Sequence, residues 1–223
     1  MSQTHASAID VYEAVLRIFT SKDDLREWMK NPFIVGDKAV ATNGYSLVAV
    51  PKWSGDYEKS EKTKMVYPVE PNCNKIINTE QIKDAFSKVP LVDDYEEISE
   101  QLKCKECNGY GEVEWEYDGD KRTYTLDADC PVCDGAGISL EKTKRHNGKK
   151  IYDYSKQIII SDSRFALSRI EDLLRVAELL EEDKVALIYQ KPSSTCLFKI
   201  KDVDVLLMPL MSSDNEAVCA NIA

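Results

Sequence analysis

Residues 157–210 read QIIISDSRFALSRIEDLLRVAELLEEDKVALIYQKPSSTCLFKIKDVDVLLMPL, and this stretch decides the fold. Its first five residues, Gln157–Ser161, form a short run rich in β-branched side chains, which predicts a strand. Asp162 or Ser163 then stands where a helix cap belongs. Phe165, Leu167, Ile170, Leu173, Leu174, Ala177 and Leu180 recur at helical spacing, so the helix is expected to reach about Glu182. Three strands are expected after it, over Lys184–Gln190, Thr195–Ile200 and Val205–Leu210. One helix accompanied by a set of hairpin-spaced strands is the signature of an α+β arrangement rather than of alternating βα units.

Toward the N-terminus the same vocabulary recurs. Ile9, Val11, Tyr12, Val15, Leu16 and Phe19 line one side of a helix, and Ser21 with Asp23 and Asp24 suits the start of a second, through about Lys30. The period then shortens. Phe33–Val35, Lys38–Ala41 and Tyr45–Val50 read as strands joined at Gly36-Asp37 and Asn43-Gly44, and Asn-Gly is a strong hairpin signal. Residues 52–64 are polar and read as an exposed loop, with strands at Met65–Val69 and Lys75–Ile77 beyond it. Thr79 is placed to cap a helix to about Lys88 that carries Ile82, Ala85 and Phe86 on one side. An acidic stretch, Asp93 to Glu100, leads to the cysteines. Ile138–Arg145 and Lys149–Tyr154 flank Asn147-Gly148 as a further expected hairpin.

The chain of 223 residues carries a net charge of −10, with 43% hydrophobic and 30% charged residues, the balance of a globular protein with a substantial core. That charge disfavours a general nucleic-acid coat, although a local basic face can coexist with an acidic exterior. No basic-then-apolar leader is visible at the N-terminus and no apolar run is long enough to span a bilayer, so a cytoplasmic location is the expectation. Signatures for phosphate-cradling loops, zinc proteases and serine hydrolases are missing, and the histidines His5 and His146 have no evident partner. The expectation is a protein that is not an enzyme, with no catalytic residues.

Seven cysteines occur, and four of them stand in two copies of one pattern, Cys-x-x-Cys-x-Gly-x-Gly, at Cys104–Gly111 and Cys130–Gly137. Two residues between cysteines let both thiolates face one ion, and two such knuckles complete a tetrahedron, so Cys104, Cys107, Cys130 and Cys133 are assigned to one structural zinc ion. Four thiolates leave no open position for substrate. Glu112–Tyr117 and Thr123–Leu126 between the knuckles are expected to pair as a hairpin turning at Asp118-Gly119-Asp120. Nine acidic residues against three basic ones in 104–137 argue against a phosphate-gripping finger. Lys142, Lys144, Arg145, Lys149 and Lys150 cluster in the next segment and read as a solvated basic turn. Cys196, in an apolar strand, is expected to be a small core residue.

The cysteine pattern resembles half of the cysteine-rich region of DnaJ-type co-chaperones, which holds four such repeats and two zinc ions. No His-Pro-Asp signature accompanies it, so it reads as a module inserted into another body. Ala41-Thr-Asn-Gly-Tyr-Ser-Leu47 in turn resembles the Ala-Thr-Asp-Gly-His-Arg-Leu segment of bacterial DNA polymerase III beta subunits, the sliding clamps. Val205-Leu-Leu-Met-Pro-Leu-Met211 resembles that family's C-terminal Val-Met-Pro-Met-Arg strand. The resemblance implies an α+β fold of clamp-like repeats, a helix packed on antiparallel strands, with the zinc-stapled hairpin inserted. It implies a pocket for partner peptides of the replication machinery, with Thr42, Gly44, Tyr45 and Leu47 on one wall and Met208, Pro209 and Leu210 on the other. Asn43, Tyr45 and Ser46 depart from the family's Asp, His and Arg. Clamp subunits are longer and have three domains, so a ring of this chain would need more copies or another architecture.

The expected organisation is a clamp-like body over 1–100 and 141–211, an inserted zinc hairpin over 101–140 and a flexible tail over 212–223. The expected function is a non-enzymatic clamp-like protein of DNA replication or repair, able to form homo-oligomers and, through a local face, to touch DNA. The alternative is a zinc-stapled adaptor or chaperone-like protein-binding module with no role at DNA.

Overall fold

The computed structural model describes residues 8–22, 26–51, 55–60, 70–191, 194–211 and 214–222. The expected strand Met65–Val69, most of the 52–64 loop and His5 lie outside them. The chain divides into two compact units, residues 1–90 with 152–223, and residues 91–151.

In the first unit, the 3.6-residue period of the N-terminal segment produces α1 (Ala8–Ile18), whose Val15 and Leu16 are fully buried, as is Phe19 just beyond it. Glu13 and Arg17 pair on its outer side at 2.6 Å, one turn apart. Of the expected helix up to Lys30, the described residues form only a 3-10 turn at Glu27–Met29. Strands β1 (Phe33–Val35), β2 (Lys38–Thr42) and β3 (Ser46–Val50) follow as an antiparallel meander. After β4 (Lys75–Asn78) comes α2 (Thr79–Ser87). Its cap is Asn78 rather than Thr79: the Gln81 side chain accepts a hydrogen bond from the Asn78 N–H at 2.9 Å, and Thr79 is buried.

The unit resumes after residue 151 with β9 (Gln157–Ile160). The helix expected from Asp162 or Ser163 starts later. Ser161 takes a left-handed φ of 53°, the chain doubles back, and Ser163–Ala166 forms β10, paired antiparallel to β9. Only then does α3 (Leu167–Leu179) begin, from an extended Ala166. Strands β11 (Lys184–Lys191), β12 (Thr195–Ile200) and β13 (Val203–Leu207) follow, the last two joined through Lys201 at φ 57°.

The last strand, β14 (Val218–Ile222), lies inside the segment expected to be a flexible tail. It pairs parallel to β9 and buries Ala220 and Ile222, because a short apolar alternation there meets an open edge of β9.

Seven strands make one sheet in the order β1-β2-β3-β13-β12-β11-β4, antiparallel at every step. A second sheet runs β10-β9-β14. One face of the large sheet (Ala41, Val48, Phe198, Val205 and Leu207 among others) meets the buried sides of all three helices and of β9 and β14 in a single core. On the other face Phe33, Val40 and Ala49 make a small separate cluster. The fold is α+β, and its N- and C-terminal parts are sewn together where β13 pairs with β3. Cys196 is fully buried in the core, as expected. No helix among the described residues is long and apolar enough to cross a membrane.

The second unit is built of paired strands. The acidic stretch becomes β5 (Leu91–Lys103) and pairs with β8 (Ile138–Tyr152). The hairpin expected at Asn147-Gly148 is therefore not formed, and β8 runs through it. Gly148 takes a φ of 80°, while the Asn147 side-chain amide donates to Asp94 at 2.5 Å and its oxygen accepts from the Lys149 N–H at 2.9 Å. The facing side chains are complementary in charge. Lys142 lies 3.3 Å from Glu97 and His146 lies 3.6 Å from Asp93, so the basic strand has an acidic partner from across the module. Between the cysteine pairs, β6 (Glu112–Asp118) and β7 (Thr123–Asp129) form the expected hairpin in register from Glu112↔Asp129 to Asp118↔Thr123.

Candidate functional site

Cys104, Cys107, Cys130 and Cys133 converge, and all four sulfur atoms lie within 4.8 Å of one another and are buried. The Sγ–Sγ distances are 3.8 Å for Cys104–Cys130 and 3.7 Å for Cys107–Cys133. A tetrahedral ion with metal–sulfur bonds of about 2.3 Å requires edges of about 3.8 Å, which these two distances match. Among the described residues, the one apolar side chain packed against the cluster is a half-buried Val113. Four cysteines with so little hydrophobic surface around them make sense as ligands and little sense as a core.

The two knuckles are near-copies. The Gly111 N–H donates to the Cys107 sulfur at 3.2 Å and the Gly137 N–H to the Cys133 sulfur at 3.3 Å. Each knuckle also caps the other: the Cys104 N–H donates to the Gly137 carbonyl at 3.0 Å, and the Cys130 N–H to the Gly111 carbonyl at 2.7 Å. Gly111 and Gly137 take φ of 84° and 69°, and a side chain on either would run into a backbone carbonyl of the opposite knuckle, that of Gly135 or of Gly109. The second glycine of each repeat is thus dictated by the close approach of two backbones.

The electrostatics call for a cation. Against the effect of burial, the Gly111 and Gly109 N–H groups and the neighbouring thiols pull the Cys107 thiol down to about 7. Burial and the neighbouring thiols push Cys133 up to about 12. Thiolates packed this closely repel one another, so four together need a positive charge at their centre.

The clamp-like segments meet in the first unit. The pairing of β3 with β13 sets Leu47 opposite Leu206 and Ser46 opposite Leu207, and the Met208 N–H then donates to the Tyr45 carbonyl at 3.0 Å. Thr42 is buried and builds the turn: its hydroxyl donates to the Ser46 carbonyl at 2.8 Å and accepts from the Gly44 N–H at 3.1 Å. Asn43 Oδ1 accepts from the N–H groups of Tyr45 and Ser46. Gly44, at φ 89°, leaves room for the Arg26 guanidinium, which a side chain there would strike. Leu47 is half-buried beside Phe33, Val40 and Ala49, on the sheet face away from the helices. Pro209 is buried and Leu210 half-buried, whereas Tyr45, Met208 and Met211 stand exposed at 59%, 46% and 82%.

Arg169 of α3 joins the two segments, and nothing local in the sequence signals it. Its guanidinium donates to the Met208 carbonyl and lies 5.3 Å from the centroid of the Tyr45 ring. Burial lowers its pKa from the ordinary guanidinium value. Tyr45 also lines a cavity of about 640 Å³, where Arg17, Lys22, Arg26 and Arg175 surround one carboxylate among the described residues, Asp172. Burial raises that carboxyl to about 6, with the charge of Glu171 adding and Arg175 and Lys22 opposing.

No protein-family model and no curated protein matches the chain. Among solved structures it is similar to the DNA polymerase sliding clamp from Pseudomonas aeruginosa with ligand, at 14% identity and a TM-score of 0.46, covering 92% of this chain and 65% of that one. It is similar also to the DNA polymerase sliding clamp from Bacillus subtilis, at 10% identity and a TM-score of 0.45, over 95% of this chain and 67% of that one. For the DNA polymerase III beta subunit from Thermotoga maritima the values are 12% and 0.45, over 96% and 68%. The chain spans about two thirds of the length of these clamps.

Proposed function

We propose that this chain is a non-enzymatic, clamp-like protein that captures short peptide segments of replication or repair partners at the Tyr45–Met208 surface, and that its four cysteines hold one structural zinc ion. The observation that carries the first part is the junction itself. Two segments more than 150 residues apart, each resembling a wall of the clamp pocket, are joined by the Met208–Tyr45 hydrogen bond and by Arg169 across both. The exposed side chains there are a tyrosine and two methionines, adaptable apolar groups suited to leucine or aromatic anchors of an extended peptide. The cations around the neighbouring cavity favour a partner that also carries acidic residues.

Zinc is supported by the donor set, four thiols at tetrahedral spacing. A closed shell of this kind holds structure and offers no open coordination position for substrate.

The test is fluorescence polarisation with a labelled peptide of the Gln-Leu-x-Leu-Phe type. Saturable binding is expected, weakened about ten-fold or more by Met208→Ala and by Tyr45→Ala, as truncation of an interface anchor does. Absence of binding at high micromolar peptide, with a folded protein, would overturn the reading.

A further inference from the structure

The β6–β7 hairpin has two unlike faces. Its register sets Val113 against Ala128, Trp115 against Leu126 and Tyr117 against Tyr124. Directly opposed residues share a face and neighbours along a strand alternate, so these six side chains occupy one face together. The other face carries Glu112, Glu114, Glu116 and Asp118 from β6, with Thr123, Thr125, Asp127 and Asp129 from β7. The apolar face is open to solvent: Trp115 is 55% exposed, Leu126 68% and Tyr117 70%. An aromatic face left in water on a two-stranded ribbon is a poor way to stabilise a hairpin, since independent stability calls for a third strand or a packing partner.

Among the described residues no third strand pairs with either β6 or β7, so each outer edge presents its backbone N–H and C=O groups. We propose that the outer edge of β6 accepts an extended segment of a partner protein as a third strand, one that alternates apolar residues with lysine or arginine. Alternation follows from the pleat. Residues of the added strand beside Trp115 and Tyr117 extend the apolar face, and those between them fall beside Glu114, Glu116 and Asp118. The β6 edge is the one selected, because its polar row is all carboxylate, whereas that of β7 is half threonine. A cation already favours this aromatic face: Arg122 lies 4.6 Å over the Tyr124 ring.

Other occupants fit less well. Residues 112–129 hold seven carboxylates against Lys121 and Arg122, which repels nucleic-acid phosphates and anionic lipid. A second copy adding its own β6 would set two rows of carboxylates side by side. Stacking two apolar faces would cover only about 20 Å by 10 Å, on the order of 200 Å² per copy, against about 800 Å² per partner in a stable interface. A linear basic–apolar segment meets the charge, and its main-chain hydrogen bonds to the β6 edge supply affinity that face-to-face contact alone would not. The surface is independent of the Tyr45–Met208 reading.

The experiment is fluorescence anisotropy of the full chain, produced with zinc in the medium, against a labelled peptide of alternating valine and lysine. The controls are an alternating valine–glutamate peptide and a peptide of the same composition with its lysines and valines in separate blocks. Saturable binding of the first peptide alone is expected, weakening with added salt. It should fall about ten-fold or more in Trp115→Ser/Tyr117→Ser and in Glu114→Lys/Glu116→Lys. These side chains are exposed, so the variants should keep the parent's melting profile and its affinity for the Gln-Leu-x-Leu-Phe peptide. Equal binding of the blocked peptide, or unchanged binding by either variant, would overturn the proposal. So would a dimer in sedimentation equilibrium that the Trp115/Tyr117 variant disperses, which would make a second copy the occupant.

Discussion

The two units of this chain are held by different physics. In residues 1–90 with 152–223, three helices and two sheets share one apolar core, with Phe19, Phe165 and Phe198 among its largest fully buried side chains. In residues 91–151 the buried cluster is four cysteines with Val113 beside it, and the strands around it leave Trp115, Tyr117, Leu126 and Leu140 in water. The first can be stabilised by burial alone, whereas the second has almost nothing to bury and, on the proposed reading, depends on a cation among its sulfurs. A segment of that kind can be inserted into a body without sharing its core. It can also carry an exposed binding face that a core-dependent domain of its size could not leave uncovered.

The sharpest way to break this contrast is to damage one side at a time. Cys104→Ser removes a ligand, and with it most of a metal-binding free energy of about 10 kcal/mol or more. The expected result is loss of bound zinc in native mass spectrometry and loss of the strand signals of 91–151 in NMR spectra, with the methyl signals of the body retained. Phe198→Ala, in the centre of the other core, should cost about 3–5 kcal/mol in denaturant unfolding of the body while zinc remains bound. If Cys104→Ser unfolded both units together, the division into a core-held and a metal-held part would be wrong.

A smaller effect separates glycines that serve the knuckles from those that merely ease the chain. Gly111→Ala combines a left-handed φ of 84° with a collision against the Gly135 carbonyl, and should weaken zinc binding by about 2 kcal/mol or more in chelator competition. Gly148→Ala meets open space at φ 80° and should cost only the backbone term, about 1 kcal/mol.

The smallest expected effect is in the pH response, where the two units should differ in sign. Burial raises the Asp172 carboxyl to about 6, above its unfolded value, so the folded body holds this proton more tightly than the unfolded chain. Its contribution to stability is present below about pH 4, is lost as pH rises toward 6, and stays lost above. Asp172→Asn should therefore match the parent at low pH and exceed it at pH 7 by about 1 kcal/mol at most, since the group is half-exposed and screened. The metal unit should weaken over the same descent in pH, because protons compete with zinc for the thiolates. Paired thermal melts at pH 4.5 and 7 with zinc analysis would check both signs.

How much of this was legible beforehand follows from how local each signal is. The cysteine cage was readable because both knuckles carry their ligands and glycines within eight residues. Helices α1 and α2 and the β2–β3 turn were readable for the same reason. Strand β10 was hidden because Phe165 suits a strand alternation and a helical stripe equally, and the positive φ of Ser161 that decides the matter has no glycine to announce it. The Asn147-Gly148 pair misled: the turn signal is local, but the basic strand finds its acidic partner in β5, on the far side of the cysteine module. Strand β14 depends on a parallel pairing with β9, some 60 residues away, and no periodicity shows that. At the candidate partner surface the sequence marked the segments around Tyr45 and Met208. It could not mark Arg169, whose role exists only once α3 is packed across them.

Hydrogen–deuterium exchange of the full chain before and after a zinc chelator would show whether one unit is held by a metal and the other by its core. Protection should collapse across residues 91–151, most strongly in Cys104–Gly111 and Cys130–Gly137, while β3, β12, β13 and α3 keep theirs. Loss of protection throughout the chain, or unchanged protection in the knuckles, would contradict it.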